Sequence, residues 1–200
     1  MANYRSSRII PTILTIVIII VAIAGLVALG RLIFSGSTTS NTQVIDTSQQ
    51  NLLDTSASRS VSMTVRGPIV ADEDFRSYRI TISPSLRTVE TFKGYLDTII
   101  ERKRLSNNTA AYDQFVHALD KANMVKGTPF EGDANNVLGI CASGNVSEFS
   151  TLDDGATVEM LWTSTCSGSP GSLKASATQL SQLFINQIPD GSAIIDNLDL

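Results

Sequence analysis

Histidine and cysteine are scarce in this sequence, and their scarcity limits the chemistry open to it. Among 200 residues there are one histidine, His117, and two cysteines, Cys141 and Cys166. Two cysteines without a nearby histidine cannot complete a tetrahedral zinc site, and their spacing is not the Cys-x-x-Cys of redox-active proteins. The motifs G-x-S-x-G and H-E-x-x-H and the Walker-type glycine loop are also missing. The sequence therefore predicts no catalytic site, no metal site and no cofactor.

Acidic residues are absent from the first 34 positions, which contain Arg5, Arg8 and Arg31. The remaining positions hold 12 basic and 19 acidic residues, a net charge of −7, whereas the whole chain has a net charge of −4. Nucleic acids are bound through clustered Lys and Arg side chains, and an acidic domain repels their phosphates. No nucleic-acid partner is therefore expected.

Charge of either sign is missing from residues 9 to 30, a run of 22 positions that is apolar on all sides. A helix rises about 1.5 Å per residue, so roughly 20 such residues span the hydrocarbon core of a bilayer. This predicts a transmembrane helix over residues 9–34, with the lipid bilayer as its partner. Arginines precede the run and only Arg31 follows it closely, which places residues 1–8 in the cytoplasm and the C-terminus outside. We therefore expect a single-pass protein of the cell membrane.

Small residues within this segment leave two further interpretations open. Ala22-Ile23-Ala24 fits the small-x-small cleavage pattern, so a cleaved signal peptide is the alternative to a retained anchor. The apolar run continues past that point and exceeds the roughly 7–15 apolar residues of a signal peptide, which favours the anchor. Ala24 and Ala28 form a small-xxx-small pair that would let two membrane helices associate closely.

Apolar residues are rare between residues 35 and 60, where Ser, Thr, Asn, Gln and Asp predominate. Such a segment buries too little apolar area to offset the entropy of ordering the chain. It is predicted to be a polar stalk, with a short helix near residues 49–53 as an alternative for part of it. Residues 61–190 are predicted to form one extracytoplasmic α+β domain, and residues 191–200 a C-terminal tail.

Alternating apolar and polar residues identify the first strands of this domain. Val61-Ser62-Met63-Thr64-Val65 and Tyr78-Arg79-Ile80-Thr81-Ile82-Ser83 both have the period of two that is typical of a half-buried strand. Residues 86–105 are ambiguous, because their apolar positions also fit one face of a helix. Several of them are β-branched, and Gly94-Tyr95-Leu96-Asp97 would serve as a hairpin turn. Two strands are therefore favoured, with one long helix as the alternative.

Two amphipathic segments are predicted to form helices packed on the sheet. The first follows the capping residues Asn107-Asn108-Thr109 and ends at Gly127-Thr128-Pro129. The second runs from residue 172 to residue 187 and ends at Pro189-Asp190-Gly191. Their predicted buried faces are Tyr112, Phe115, Val116, Leu119 and Ala122 in the first, and Leu173, Ala177, Leu180, Phe184 and Ile188 in the second.

Cys141 and Cys166 flank two strand-like segments that Asp153-Asp154-Gly155 separates. A three-residue hairpin loop over 153–155 would bring the cysteines within a residue or two of facing each other, so that one bulge would align them. A disulfide is the expected state outside the membrane, and loop entropy predicts a stabilisation of roughly 3–3.5 kcal/mol. Trp162 is expected to pack against this disulfide, and two unpaired thiols are the alternative.

The remaining charged clusters are interpreted as solvated surface. His117 shares a helix face with Asp113, but no Ser or Cys nucleophile can be placed beside it. Asp72-Glu73-Asp74 lacks the D-x-D-x-D-G spacing of a calcium loop. Glu101-Arg102-Lys103-Arg104 on a strand would divide its charges between both faces, which is typical of a polar sheet edge that discourages strand addition.

Several short segments of the outer domain, between about residues 77 and 190, together carry a similarity to known proteins. They are Tyr78-Arg79-Ile80-Thr81-Ile82-Ser83, Arg87-Thr88-Val89-Glu90, Gly94-Tyr95, Ala110-Ala111-Tyr112-Asp113-Gln114-Phe115, Leu161-Trp162-Thr163-Ser164-Thr165-Cys166, Leu183-Phe184 and Gln187-Ile188-Pro189-Asp190. In these segments the domain resembles a group of uncharacterised single-pass envelope proteins of small-genome candidate-phylum bacteria. The resemblance implies a β-meander, a helix, a disulfide-bearing hairpin and a C-terminal helix, and it favours two strands over residues 86–105. No activity is assigned to that group, so the resemblance implies architecture alone.

Together these patterns predict an α+β fold. It consists of an N-terminal transmembrane helix, then an antiparallel β-meander sheet of five or six strands with two packed helices and one disulfide. We expect a non-catalytic extracytoplasmic domain with a binding or structural role at the cell envelope, where an envelope protein or a surface ligand is its partner. Such a domain should have an exposed apolar or aromatic patch and no deep polar cleft. A sensor or accessory subunit of a membrane complex, and an envelope enzyme of unknown type, are the alternatives.

Overall fold

The computed structural model of the protein describes residues 47–198 and 200. The predicted transmembrane helix over residues 9–34, the pair Ala24 and Ala28, and residues 35–46 of the predicted stalk lie outside the described residues. Within the described part, the helices are all too short or too polar to cross a bilayer.

Six β-strands and four α-helices make up the described part of the chain. The strands are β1 (Arg59–Arg66), β2 (Arg76–Ile82), β3 (Leu86–Lys93), β4 (Thr98–Ser106), β5 (Val146–Asp153) and β6 (Ala156–Ser164). The helices are α1 (Thr47–Leu53), α2 (Thr109–Lys121), α3 (Ala177–Ile185) and α4 (Gly191–Asp196), and a 3-10 turn covers Gly132–Asn135. The predicted α+β class is confirmed.

The strands form one antiparallel sheet in the order β4-β3-β2-β1-β5-β6. Strands β1 to β4 follow one another as a meander. The chain then passes through α2 and a long loop before it places β5 against the free side of β1. As a result β1 is central, and β4 and β6 are the two edges. The basic run at residues 101–104 lies on the edge strand β4, as the sequence indicated.

Residues 86–105 form the hairpin of β3 and β4, so the favoured interpretation is confirmed and the long helix is wrong. Gly94 and Asp97 in the connecting turn have φ values of 72° and 52°, in the left-handed region that a continuous helix does not allow. Residues 87–93 of strand β3 pair with β2. Its Val89 is thereby buried in the core.

The main hydrophobic core lies between one face of the sheet and the helices. Phe184 of α3 joins these layers, because its ring centroid lies 5.2 Å from that of Phe115 in α2 and 6.2 Å from that of Phe149 in β5. The largest fully buried members of this core include Met63, Ile80, Tyr112, Phe149, Leu161, Leu180 and Phe184. These residues include Tyr112, Leu180 and Phe184, which the helical periodicity predicted to be buried.

Helix α2 begins where the sequence predicted and ends earlier. The Asn108 side chain caps it by accepting a hydrogen bond from the Ala111 amide at 2.9 Å. The helix ends at Lys121 rather than near Gly127, because Asn123 adopts a left-handed φ of 61° that terminates the helical path. Asn is one of the few residues other than Gly that tolerate this conformation.

Helix α3 begins at Ala177, five residues after the predicted start at Ser172. Leu173 is buried as predicted, but it lies in an extended segment that forms an isolated β-bridge with Gly127. Its amide donates to the carbonyl of Trp162 at 2.9 Å, so the backbone here extends the sheet instead of entering a helix. Ser176 caps the helix by accepting a hydrogen bond from the Gln179 amide.

The folded unit extends beyond both predicted boundaries of the domain. Helix α1 forms within the segment predicted as stalk, which confirms the alternative of a short helix near residues 49–53, and Leu52 on it is fully buried in the core. Helix α4 forms within the predicted tail, and Leu198 after it is buried as well. Both corrections have the same physical reason. A polar segment needs only one or two apolar side chains that reach the core to be held against the domain.

Candidate binding pocket at the loop end of the sheet

Three connections meet at one end of the sheet and enclose an apolar pocket. They are the β1–β2 loop (residues 67–75), the β3–β4 turn (residues 94–97) and the loop that leads into β5 (residues 136–145). We call the enclosed cavity of about 300 Å³ the loop-end pocket. It is lined by Arg66, Gly67, Ile69, Phe75, Tyr95, Val137, Leu138, Gly139, Ile140, Cys141 and Val146. Its volume lies at the lower end of the range for ligand-binding pockets.

Tyr95 fastens the β3–β4 turn to the β1–β2 loop. Its hydroxyl donates to the Val70 carbonyl at 2.6 Å and accepts from the Val70 amide at 3.1 Å. Its own amide donates to the Asp72 carboxylate at 2.8 Å. The Tyr95 ring stacks on Phe75, with centroids 4.3 Å apart. These four contacts fix two walls of the loop-end pocket relative to each other.

The disulfide between Cys141 and Cys166 holds the third wall, as the sequence predicted. Cys141 packs in a small second core with Val137, Val146 and Trp162, so the expected packing of Trp162 beside the disulfide is confirmed. The loop is also tied to the β1–β2 loop, because the Ile69 amide donates to the Ala142 carbonyl at 2.9 Å. All three walls are therefore cross-linked by covalent or hydrogen bonds.

The disulfide does not lie at the hairpin position that the register arithmetic predicted. The β5–β6 turn has two residues, Asp154 and Gly155, both with positive φ, rather than the three residues 153–155. The observed bulge shifts the pairing in the direction that moves the cysteines further out of register. Strand pairing ends at Val146 and Ser164, so both cysteines lie beyond the ladder. Their Cα atoms are 5.7 Å apart, and a turn at residues 142–144 separates Cys141 from the start of β5.

The mouth of the loop-end pocket carries apolar side chains that are exposed to solvent. Leu138 is 67% exposed, and Ile69 and Tyr95 are each 46% exposed. Leu96, next to Tyr95 in the same turn, is 93% exposed. The sequence led us to expect an exposed apolar or aromatic patch, and these residues form one. Sequence periodicity missed Ile69 and Leu138, because both lie in loops where no regular alternation marks an apolar residue.

Arg66 is the one charged residue that lines the loop-end pocket. Its guanidinium group lies 2.8 Å from a Glu148 carboxylate oxygen and 3.7 Å from Asp97 Oδ1. Two acidic partners therefore already balance its charge. The interior of the pocket is suited to a neutral apolar group rather than to an anion.

Acidic residues lie beside the mouth of the pocket. Asp72, Glu73 and Asp74 are exposed and occupy the β1–β2 loop between the pocket residues Ile69 and Phe75. Among the described residues, no group of three or more His, Cys, Asp or Glu side chains could hold a metal ion. The acidic cluster is therefore a negative rim next to an apolar cavity.

The single histidine lies away from this pocket. His117 Nε2 is 3.7 Å from Asp113 Oδ1 on α2, and both side chains are more than half exposed. This is the solvated helix face that the sequence predicted. Ala24 and Ala28 lie outside the described residues, so the structure does not bring them to any site.

Three groups in the described region have shifted pKa values, and none of them lines the loop-end pocket. The backbone hydrogen bond from Ser56, with help from Arg59, holds the pKa of Asp54 below its ordinary value. Burial raises the pKa of Tyr78 to about 12, and burial also raises the pKa of Tyr112. These shifts belong to the core and to the α1–β1 connection.

Comparison with known proteins gave no match, either to a protein-family model or to a curated protein.

Proposed function

We propose that this protein is a non-catalytic binding domain, anchored in the cell membrane by residues 9–34 and displayed on the outer side. In this proposal the loop-end pocket receives an apolar side chain of a partner protein of the envelope. The observation that carries it is the convergence of three cross-linked loops around an apolar cavity with an exposed apolar mouth.

The exposed mouth favours a binding role because apolar surface in water is unfavourable. Each Å² of apolar area removed from water contributes about 25 cal/mol, so covering Leu138, Ile69 and Tyr95 would stabilise a complex. Contiguous exposed apolar patches commonly mark interaction sites. The disulfide and the Tyr95 hydrogen bonds hold the walls in place before binding, so little ordering entropy is lost when a partner arrives.

The charges around the pocket favour one type of occupant. Arg66 is already paired, so the cavity suits a neutral apolar group. The exposed Asp72, Glu73 and Asp74 beside it favour basic residues next to that group. The proposed occupant is therefore an apolar side chain flanked by Lys or Arg on a partner protein.

Outer-side display is supported by the sequence and is consistent with the disulfide. Arginines before residues 9–34 favour a cytoplasmic N-terminus. Disulfides persist in oxidising compartments, and Cys141 and Cys166 form one. An external protease should therefore cleave the full chain in intact cells, and failure to cleave it without permeabilisation would contradict this topology.

The binding role is tested by photo-crosslinking of the full chain in intact cells. A photoreactive amino acid at Leu138 should trap a partner, and the same residue at Val158 is the matched control. Val158 is 45% exposed but lies on the edge strand β6, away from the pocket. Ile69→Glu should abolish the crosslink from position 138. Equal crosslinking from both positions, or a crosslink that survives Ile69→Glu, would refute the proposal.

A further inference from the structure

The sheet face opposite the helices carries a second cavity, of a different chemical character. It has a volume of about 400 Å³ and lies over the central strands β1, β2 and β5. We call it the polar sheet face, and the residues that define it here are Ser60, Ser62, Thr64, Arg79, Thr81 and Ser150.

Strand alternation explains why hydroxyl groups line this face. Along β1, Val61, Met63 and Val65 enter the core beneath the helices. The intervening Ser62 and Thr64 therefore point to the opposite face of the sheet. They are nonetheless buried, because the sheet surrounds them with neighbouring strands on both sides.

Two of these hydroxyl groups form no side-chain hydrogen bond within the described region, those of Ser62 and Ser150. Each residue is only 7% exposed, yet neither hydroxyl oxygen is among the fully buried atoms without a partner, because both border the cavity. Each hydroxyl can donate one hydrogen bond and accept two. Both line the cavity, so an occupant would find two unused hydroxyl groups at its floor.

Arg79 places a positive charge at the same position. Its Nε donates to Thr64 Oγ1 at 3.1 Å, and its Cζ lies 5.6 Å from the centroid of the Phe92 ring. These two contacts orient the planar guanidinium group. No carboxylate among the described residues lies within ion-pair distance of it, so its remaining N–H groups are available to an anion.

The two carboxylates in the same cavity are already paired with other arginines. Glu148 pairs with Arg66 at 2.8 Å, and Glu90 pairs with Arg102. Arg66 also pairs with Asp97, so three carboxylates match the three arginines around this face in number. Arg79 is the one of these arginines without a carboxylate at ion-pair distance, so its free N–H groups are the donors that the polar sheet face offers to an anionic group.

We propose that the polar sheet face binds an acidic glycan. Its carboxylate or phosphate group would pair with Arg79, and its sugar hydroxyl groups would exchange hydrogen bonds with Ser62 and Ser150. The strands beneath the cavity favour a glycan over a peptide. Strands β1, β2 and β5 are paired on both sides, so they offer no free backbone groups to an extended peptide.

The test is calorimetric titration of the full chain in detergent micelles. The probes are oligogalacturonate, whose charge is carboxylate, and poly(glycerol phosphate), whose charge is phosphate, with neutral dextran as the uncharged control. At least one acidic probe should bind and dextran should not.

Arg79→Gln should weaken that binding about tenfold or more, since a hydrogen bond to a charged group is lost. Lys121→Gln removes an equal charge from the exposed face of α2 and should change affinity less than about twofold.

Loss of the hydroxyl groups supplies a second variant that keeps the charge. Ser62→Ala with Ser150→Ala should weaken the acidic probe by about threefold or more while thermal unfolding stays cooperative. The Ile69→Glu variant should bind the acidic probe normally, which separates this proposal from the proposed function of the loop-end pocket. The proposal is overturned if neither acidic probe binds, if Arg79→Gln binds as well as the unmodified chain, or if polyglutamate matches the acidic glycans.

Discussion

The Tyr95 hydroxyl both donates to the carbonyl and accepts from the amide of a single residue, Val70. This pair of hydrogen bonds joins two turns that are 25 residues apart in sequence.

Tyr95→Phe keeps the stacking on Phe75 and removes only the hydroxyl. We expect the free energy of unfolding to fall by about 1 kcal/mol. Amide exchange at residues 69–71 should become faster, as measured by hydrogen exchange, while exchange in α2 stays unchanged. Unchanged exchange at these residues would show that the loop is held by other contacts.

Reduction of the disulfide should destabilise the domain and loosen the loop-end pocket. Cys141 and Cys166 close a loop of 25 residues, so their linkage stabilises the fold by roughly 3 kcal/mol. Urea unfolding of the full chain in detergent, with and without dithiothreitol, measures this difference. The variant with Cys141→Ser and Cys166→Ser should have the same free energy of unfolding with and without the reductant. That value should be close to the one of the reduced unmodified chain. A response that persists in this variant would contradict the assignment.

Leu52 tests whether the segment before β1 belongs to the domain. It is fully buried, so Leu52→Ala should lower the free energy of unfolding by about 2–5 kcal/mol. Leu96→Ala is the matched control, since Leu96 is 93% exposed and should change stability by less than about 0.5 kcal/mol. Urea unfolding again provides the measurement. Equal effects of the two substitutions would mean that α1 contributes nothing to the core.

Asp54 makes stability depend on pH in the acid range. Its folded pKa lies below the ordinary value of 3.8, because the Ser56 amide and Arg59 stabilise the carboxylate. The contribution of Asp54 is therefore complete above that ordinary value and is lost as the pH falls through the lower, folded-state pKa. The free energy of unfolding of Asp54→Asn should therefore fall less than that of the unmodified chain as the pH is lowered from about 5 to about 2.

Local sequence signals predicted most of the fold. The alternation around Val61 and Tyr78 identified two strands, and β-branched residues with Gly94 decided between a hairpin and a helix for residues 86–105. The boundaries of α2 and α3 were less accurate, because apolar residues at helical spacing continue past the true ends. Leu173 illustrates the reason. Burial alone does not distinguish a helical residue from one in a β-bridge, and the partner Gly127 is distant in sequence.

Neither cavity could be predicted from local sequence. The loop-end pocket needs Ile69, Tyr95 and Leu138 to meet, and these residues belong to three connections that only the folded sheet brings together. The polar sheet face needs Ser62 and Ser150 on neighbouring strands, which depends on the pairing of β1 with β5. The alternation in β1 indicates a half-buried strand, but it does not indicate how far the Ser and Thr residues on the other face are covered. Their burial follows from the central place of β1.

The position of β1 has a consequence for biosynthesis. Arg66 at the end of β1 pairs with Val146, so one side of this strand has no neighbour until roughly 80 further residues have emerged. At about 5–20 residues per second, the nascent meander waits several seconds with an unsatisfied backbone edge. During that interval a strand of another chain can pair with the free edge of β1, which leads to aggregation. Crowded neighbouring copies would be most vulnerable then, and a chaperone that binds the emerging meander would be most useful during the same few seconds.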